Sequence, residues 1–237
     1  MPAASSKEEN RSRSPTFVAR SPCFAPLETL PAPPLALPTA PALPHRHFVL
    51  HKPYGCLSQF RSEFKGERNK QFLGALHDFP PGTMAIGRLD EASEGLLLLT
   101  TDGALSAQVR SPGIEKEYYA QVDGLVTDEA LVQLRTGFTL RTADGATYQT
   151  APSQARRLAE TPAFAPRIRK IRDERHGPTS WLAIVLTEGK FRQVRRMTAA
   201  VGLPTLRLVR MRVGGVWLDG LAPGEACEVA AFAGCGG

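Results

Sequence analysis

Three short segments carry side chains that could do chemistry together. The first is Gly87-Arg88-Leu89-Asp90, which leads through Glu91-Ala92-Ser93-Glu94-Gly95 into the run Leu96–Leu99. A carboxylate on such a turn, with an arginine two residues away, can act as a nucleophile or a base; the motif alone reads as a surface Asp at a turn. The second is Glu188-Gly189-Lys190-Phe191-Arg192-Gln193-Val194-Arg195-Arg196-Met197. It places four cations where a helix begins, at the end that already carries unpaired N–H groups and a positive dipole. That repulsion has to be offset by an anion, either a carboxylate of the protein or a phosphate. If Lys190 and Arg192 meet phosphates, Arg195 lies one turn on and can face inward, with Asp90 as its natural partner. The third is Lys116-Glu117-Tyr118-Tyr119-Ala120-Gln121-Val122. On a strand, Lys116, Tyr118 and Ala120 share one face. A tyrosine presented to a cleft is a stacking platform for a nucleobase, although strand tyrosines also serve as plain core.

The elements around these segments follow from periodicity and turn chemistry. A strand is expected over His47–Leu50, ending at Lys52-Pro53-Tyr54-Gly55, and another over Gly95–Thr101, where the unbroken apolar run implies burial on both faces. Thr83–Leu89, Glu117–Val122 and Trp181–Leu186 also read as strands, and Leu206–Leu218 as a strand pair broken at Gly214-Gly215. Helices are expected over Ala104–Arg110, after the cap Thr127-Asp128-Glu129 with Gly137 at its end, and over Gln193–Val201. Phe138–Leu158 alternates loosely and turns at Asp144-Gly145. Strands outnumber helices without alternating with them, so the fold class is α+β: a mixed, mostly antiparallel sheet with flanking helices.

Residues 1–45 hold ten of the chain's 20 prolines and read as a disordered Pro/Ala/Ser/Arg-rich tail. The folded body is expected over 46–230, with a flexible C-terminus over 231–237. The formal charge is +6, and its excess is in the last third, where residues 151–237 carry 14 basic and 7 acidic side chains. A basic excess of this kind suggests a polyanionic partner, and the Arg167–Arg172 run could lie along a phosphate backbone. Cys23, Cys56, Cys227 and Cys235 form neither a C-x-x-C pair nor a metal-ligand pattern, so no metal site and a reducing, cytoplasmic setting are expected. No apolar run approaches the roughly 20 residues of a membrane span. No heptad or apolar stripe suggests oligomers, so a monomer is expected.

Taken in order, Lys52-Pro53-Tyr54-Gly55, Gly87-Arg88-Leu89-Asp90 with Ser93-Glu94-Gly95-Leu96-Leu97, Lys116-Glu117-Tyr118, and Glu188-Gly189-Lys190 through Gln193-Val194-Arg195-Arg196-Met197 resemble the RsuA-type pseudouridine synthases. The resemblance covers about 46–230. That family commonly carries an N-terminal S4-type RNA-binding module, but here only the proline-rich tail precedes the core. This departure resembles the RluE subfamily, which acts on large-subunit (23S) rRNA.

The resemblance implies the pseudouridine synthase fold and a cofactor-free isomerisation of uridine in RNA. It implies Asp90 as the catalytic carboxylate, as nucleophile at the sugar or in a related role. It implies Arg195 as the partner that orients Asp90, and Tyr118 as the residue that stacks on the target base, with a candidate part in proton transfer. The uridine has to flip out of the RNA stack to reach Asp90. Arg88 is implied to hold the RNA or fill the space the base vacates. Lys52, Lys190, Arg192, Gln193 and Arg196 are the further substrate-binding candidates. Two alternatives share these residues: a tRNA pseudouridine synthase, and a non-catalytic rRNA-binding assembly factor.

Overall fold

The computed structural model describes residues 44–62, 65–67, 69–141, 145–167, 169–171 and 174–235. The expected tail lies outside the described residues except for its last two positions, as do Asp144 of the expected turn and Ile168 and Arg172 of the basic run. The strands are β1 (His47–Lys52), β2 (Cys56–Leu57), β3 (Gln71–Phe72), β4 (Met84–Ala85), β5 (Glu94–Thr100), β6 (Lys116–Asp123), β7 (Thr139–Arg141), β8 (Thr147–Gln149), β9 (Gln154–Arg157), β10 (Thr179–Leu186), β11 (Thr205–Val213), β12 (Val216–Trp217) and β13 (Ala226–Val229). The helices are α1 (Gly103–Val109), α2 (Asp128–Thr136) and α3 (Gln193–Ala200). No helix among the described residues is long and apolar enough to cross a membrane.

The main sheet runs β13-β1-β5-β11-β6-β10-β9, with β4 added to β5 and β12 to β11. Its neighbours are antiparallel except for β5 and β11, which run parallel, so the expected mixed, mostly antiparallel sheet is present. The leucine run explains why β5 is central. All seven of its residues are buried, and each of the four leucines removed from water contributes about 2 kcal/mol. Gly95 in this strand has no substitute. A Cβ there would stand 2.3 Å from the carbonyl oxygen and 2.6 Å from the nitrogen of Arg210, so its absence lets β11 come alongside.

Helix ends follow their capping chemistry. The Asp102 carboxylate accepts from the Ala104 and Leu105 amides, opening α1. Thr127 Oγ1 accepts from the Ala130 amide at the start of α2, and Gly137 closes that helix with φ 90°. Two elements differ from expectation. The strand expected over Thr83–Leu89 shrinks to two residues, because Gly87 takes φ 71° and turns the chain toward Asp90. Up to Cys235, the end expected to be flexible packs. Phe232 and Cys235 are buried with Val49, Leu96 and Val213, and the Gly215 amide donates to the Ala233 carbonyl at 3.1 Å. The strand β13 before it was not legible, because Ala-Cys-Glu-Val has no alternation strong enough to mark an edge strand.

A bulge in β11 sorts the polar side chains of the site. Arg210 pairs with Tyr118 and Arg212 with Glu117, so Met211 is the extra residue between them. Without the bulge, Arg210 and Arg212 would share a face. With it, Arg212 bonds Glu115 and Glu117 on one side of the sheet, while Arg210 stays with Tyr118 on the other. The face bearing Tyr118, Ala120 and Leu208 receives α2 and α3, through Leu131, Leu134, Val194 and Met197.

Candidate active site

A cleft of about 380 Å3 opens on that face, where the turn before β5, the start of β6, the end of β10 and the start of α3 converge. This is toward the small end of ligand pockets, which run about 300–1,000 Å3. Gly87–Asp90, Tyr118, Glu188–Lys190, Arg192 and Arg210 line it, so all three chemistry-bearing segments of the sequence meet at one place.

Asp90 is held from several sides. Its carbonyl accepts from the Ser93 amide at 3.0 Å, closing the turn. Ser58, in the β1–β3 region, donates its hydroxyl to the Leu89 carbonyl at 2.8 Å and accepts from the Leu89 amide at 3.0 Å. The Gly55 amide adds a bond to the Glu91 carbonyl at 2.8 Å. Ser58 and the Gly55 end of the Lys-Pro-Tyr-Gly turn thus brace the backbone on either side of Asp90.

The Asp90 carboxylate lies between two arginines of the α3 start. Arg192 Nη1 is 3.3 Å from Oδ2 and Arg195 Nε is 3.8 Å from the same oxygen. Arg195 spends its other nitrogens on the turn: Nη2 donates to the Ala92 carbonyl at 2.9 Å and to Ser93 Oγ at 3.3 Å, and Nη1 to the Thr205 carbonyl at 3.4 Å. Burial, followed by the charge of Arg192, lowers the Arg195 pKa from its ordinary value. Arg192 precedes α3 with φ 50° and ψ 34°, the one non-glycine residue with positive φ among those described. Left-handed backbone at a bulky residue is strain of the kind that collects at functional sites. It turns the Arg192 side chain toward Asp90, while the preceding Phe191 is 72% exposed.

The other candidates divide. Arg88 and Lys190 are exposed at the cleft rim, and Tyr118 is half-buried in its wall. Lys52 is fully buried; its Nζ donates to the Pro53 and Cys56 carbonyls at 3.0 and 2.6 Å, so it has no access to a phosphate. Its burial pushes its pKa down to about 8. Gln193 is also buried. Its amide bridges the loop before α3, donating to Glu188 Oε1 at 2.5 Å and accepting from the Lys190 amide at 3.0 Å. Both were expected on the substrate; Gln193 lines the cleft while bracing its loop, whereas Lys52 does not line it. Arg196 does not line the cleft; its guanidinium lies 5.9 Å from the Tyr148 ring centroid. Arg167 of the basic run is internal as well, stacked at 4.6 Å on Tyr54 and 3.9 Å from Glu94, while Arg169 and Lys170 remain exposed.

Residues 46–200 match the family model described as RNA pseudouridylate synthase. The chain belongs to the RNA pseudouridylate synthase family. It is 47% identical to the ribosomal large subunit pseudouridine synthase E of Xanthomonas axonopodis pv. citri (strain 306), over 74% of this chain and 89% of that one. It is 44% identical to the protein of the same name from Vibrio vulnificus (strain CMCP6), over 76% of this chain and 74% of the relative. Among solved structures, a pseudouridylate synthase superposes with a TM-score of 0.61 at 27% identity, over 79% of this chain and 71% of that one.

Several residues of this pseudouridylate synthase cleft escaped the sequence reading. Arg110 and Arg210 line it, and Lys116, read only as part of a strand face, lines it too. Lys116 had a usable signal, since it is two residues from Tyr118 on the same strand face. Arg210 had none: arginines stand at 207, 210 and 212 of β11, and the register shifts on both sides of 207–210 decide which of them faces the cleft. Ser58 lies 32 positions from Asp90 in a loop without periodicity.

Proposed function

We propose that this chain isomerises a specific uridine of large-subunit ribosomal RNA to pseudouridine, with Asp90 as the catalytic carboxylate. The observation that carries this reading is the Asp90 carboxylate set between Arg192 and Arg195 in the same cleft as Tyr118. Membership of the family supports the chemistry, and the names of the 47% and 44% identical relatives support the large-subunit substrate. A stacked uridine cannot reach a carboxylate inside a cleft, so the target flips out. Tyr118 then offers its ring to the base, and Arg88, Lys190 and Arg192 at the rim offer charge to the flanking phosphates. Asp90 reacts at the sugar side, with Arg195 holding the turn that carries it. Arg88 holds the RNA by that charge or fills the space the base leaves. The enzyme works as a monomer, on free rRNA or on an assembling particle. A reducing cytoplasm suits Cys56, Cys227 and Cys235, which are unpaired.

The test is to map pseudouridines in rRNA and tRNA from cells carrying wild-type protein, Asp90→Asn, or no protein. One large-subunit position is expected to lose its pseudouridine in the last two, while purified Asp90→Asn still binds that RNA. Loss at a tRNA position would move the substrate to tRNA. An unchanged map with retained rRNA binding would leave a non-catalytic assembly factor.

A further inference from the structure

Arg210 is out of place by the rules that govern the other enclosed arginines of this chain. Arg207 forms a two-point pair with Glu94 at 2.7 and 3.1 Å, Arg212 bonds Glu115 and Glu117, and Arg167 and Arg195 each lie within 4 Å of a carboxylate. Arg210 is 4% exposed, and no carboxylate pairs with it among the described residues. Its Nε donates to the Leu96 carbonyl at 2.7 Å, while its Nη2 is shielded from solvent without any acceptor. A buried guanidinium with unspent donors is costly. The strand holds it there: Arg210 pairs with Tyr118, the Met211 bulge sends Arg212 with its carboxylates to the other face, and Gly95 lets the strand approach.

A second cation stands beside it. Lys116 shares the Tyr118 face of β6, lines the same cleft and spends its Nζ on the Ile114 carbonyl at 2.7 Å. Burial and the nearby Arg210 charge lower its pKa from the ordinary lysine value. The cleft wall therefore carries two enclosed cations, Arg210 and Lys116, without an ion pair among the described residues, apart from the exposed cations Arg88, Arg110, Lys190 and Arg192. A phosphate of the RNA backbone stays hydrated and is met at the rim. A flat base stacked on Tyr118 is what reaches the inner wall.

The chemistry of the proposed reaction supplies the missing anion. When the bond between the sugar C1′ and N1 of the base breaks, its electron pair leaves on the uracil ring and spreads to the two carbonyl oxygens. The ring turns, C5 returns the pair to C1′, the C5 proton passes to water and N1 takes one from water. Atoms and charge balance with no oxidant or reductant. We propose that Arg210, supported by Lys116, is a catalytic residue that donates to a carbonyl oxygen of the uracil ring and stabilises the charge that ring carries between bond breaking and bond formation. This deepens the pseudouridine synthase reading and rests on it. Donors aimed where charge develops act on the transition state more than on the ground state.

The experiment is a comparison of leaving groups. Single-turnover loss of the N-glycoside is followed on the target RNA carrying either uridine or 5-fluorouridine at the reacting position. Fluorine withdraws electrons and stabilises the departing ring anion by itself, so the reaction then depends less on a protein cation. Arg210→Gln is expected to slow the uridine reaction by about 100-fold, the scale for losing one such donor, and the 5-fluorouridine reaction by less than about tenfold, while RNA affinity is retained. Arg210→Lys is expected to fall between Gln and wild type on uridine, and it serves alone if Arg210→Gln does not melt cooperatively. Equal slowing on both substrates, or a loss confined to RNA affinity, would overturn the assignment. A wild-type chain inactive on every rRNA and tRNA would instead remove the parent reading.

Discussion

Arg192 Nη1 stands 3.3 Å from Asp90 Oδ2, nearer than Arg195 Nε at 3.8 Å. The two arginines have different tasks. Arg192 reaches the carboxylate from a left-handed backbone and is 43% exposed in its side chain. Replacing it by Gly or by Ala removes the same guanidinium, but only Gly relaxes φ 50°. The Gly variant is therefore expected to be more stable than the Ala variant by about 1 kcal/mol in urea unfolding, with both equally impaired in turnover. An Ala variant as stable as the Gly variant would show that the position is unstrained.

Arg195 acts on the turn more than on the carboxylate. Its bonds to the Ala92 and Thr205 carbonyls and to Ser93 Oγ tie α3 and β11 to the segment that carries Asp90. Lysine keeps the charge and loses the fork that makes these bonds at once. Arg195→Lys is expected to lower kcat by tenfold or more with KM for RNA little changed, and to reduce stability by about 1–2 kcal/mol. Retention of full kcat would mean that charge alone suffices.

Lys52 is a charge held where water does not reach, and its pKa of about 8 makes that testable. The folded value lies below the ordinary 10.5, so between the two the unfolded chain binds the extra proton and stability rises with pH. Below about pH 8 the folded protein bears the full cost of the charged form, and above about pH 10.5 that cost is gone. Wild type is expected to gain about 3 kcal/mol relative to Lys52→Met between pH 7 and pH 10.5, since each pKa unit corresponds to about 1.4 kcal/mol. Parallel pH profiles for the two proteins would refute this.

Most of the framework was legible because its signals are local. Leu96–Leu99 announced a doubly buried strand, Thr127 and Gly137 bounded a helix, and the 116–122 alternation put Tyr118 and Glu117 on opposite faces. Asp90, Tyr118, Arg192 and Lys190 came together as expected because each lies at the end of such an element. What could not be read depended on three-dimensional proximity. A lysine next to Pro-Tyr-Gly looks like a surface cation until two carbonyls close over it, and nothing in the 188–193 segment announces that the Gln193 amide bonds Glu188. The faces of Arg207, Arg210 and Arg212 depend on bulges that alternation alone does not show.

The Glu94–Arg207 pair illustrates how such hidden charges are maintained. Glu94 is 2% exposed, and Arg207 also donates to the Ala165 carbonyl at 3.0 Å, pinning the 162–167 segment over the sheet. Removing Arg207 alone leaves a buried carboxylate whose remaining ion pair among the described residues is the long one to Arg167, at 3.9 Å. Arg207→Met is expected to cost about 3–5 kcal/mol, and Glu94→Gln added to it to recover part of that loss. Strict additivity of the two changes would mean that the pair is not coupled.

RNA affinity should separate rim from interior by its response to salt. Arg88, Lys190 and Arg192 are exposed at the cleft mouth, and each phosphate they neutralise releases counterions. Substituting any one of them with Ala is expected to make the slope of log affinity against log salt shallower by about 0.7, the single-strand value per contact. Lys52→Met is expected to leave the slope unchanged, because its ammonium never meets the RNA. Phe191 lies between Lys190 and Arg192 and is 72% exposed, so it can stack on a neighbouring base. Phe191→Ala is expected to weaken binding by about five- to a hundredfold, roughly 1–3 kcal/mol, at every salt concentration, without a change in slope. A slope change for Lys52→Met, or none for the three rim variants, would place the RNA on a different face of the protein.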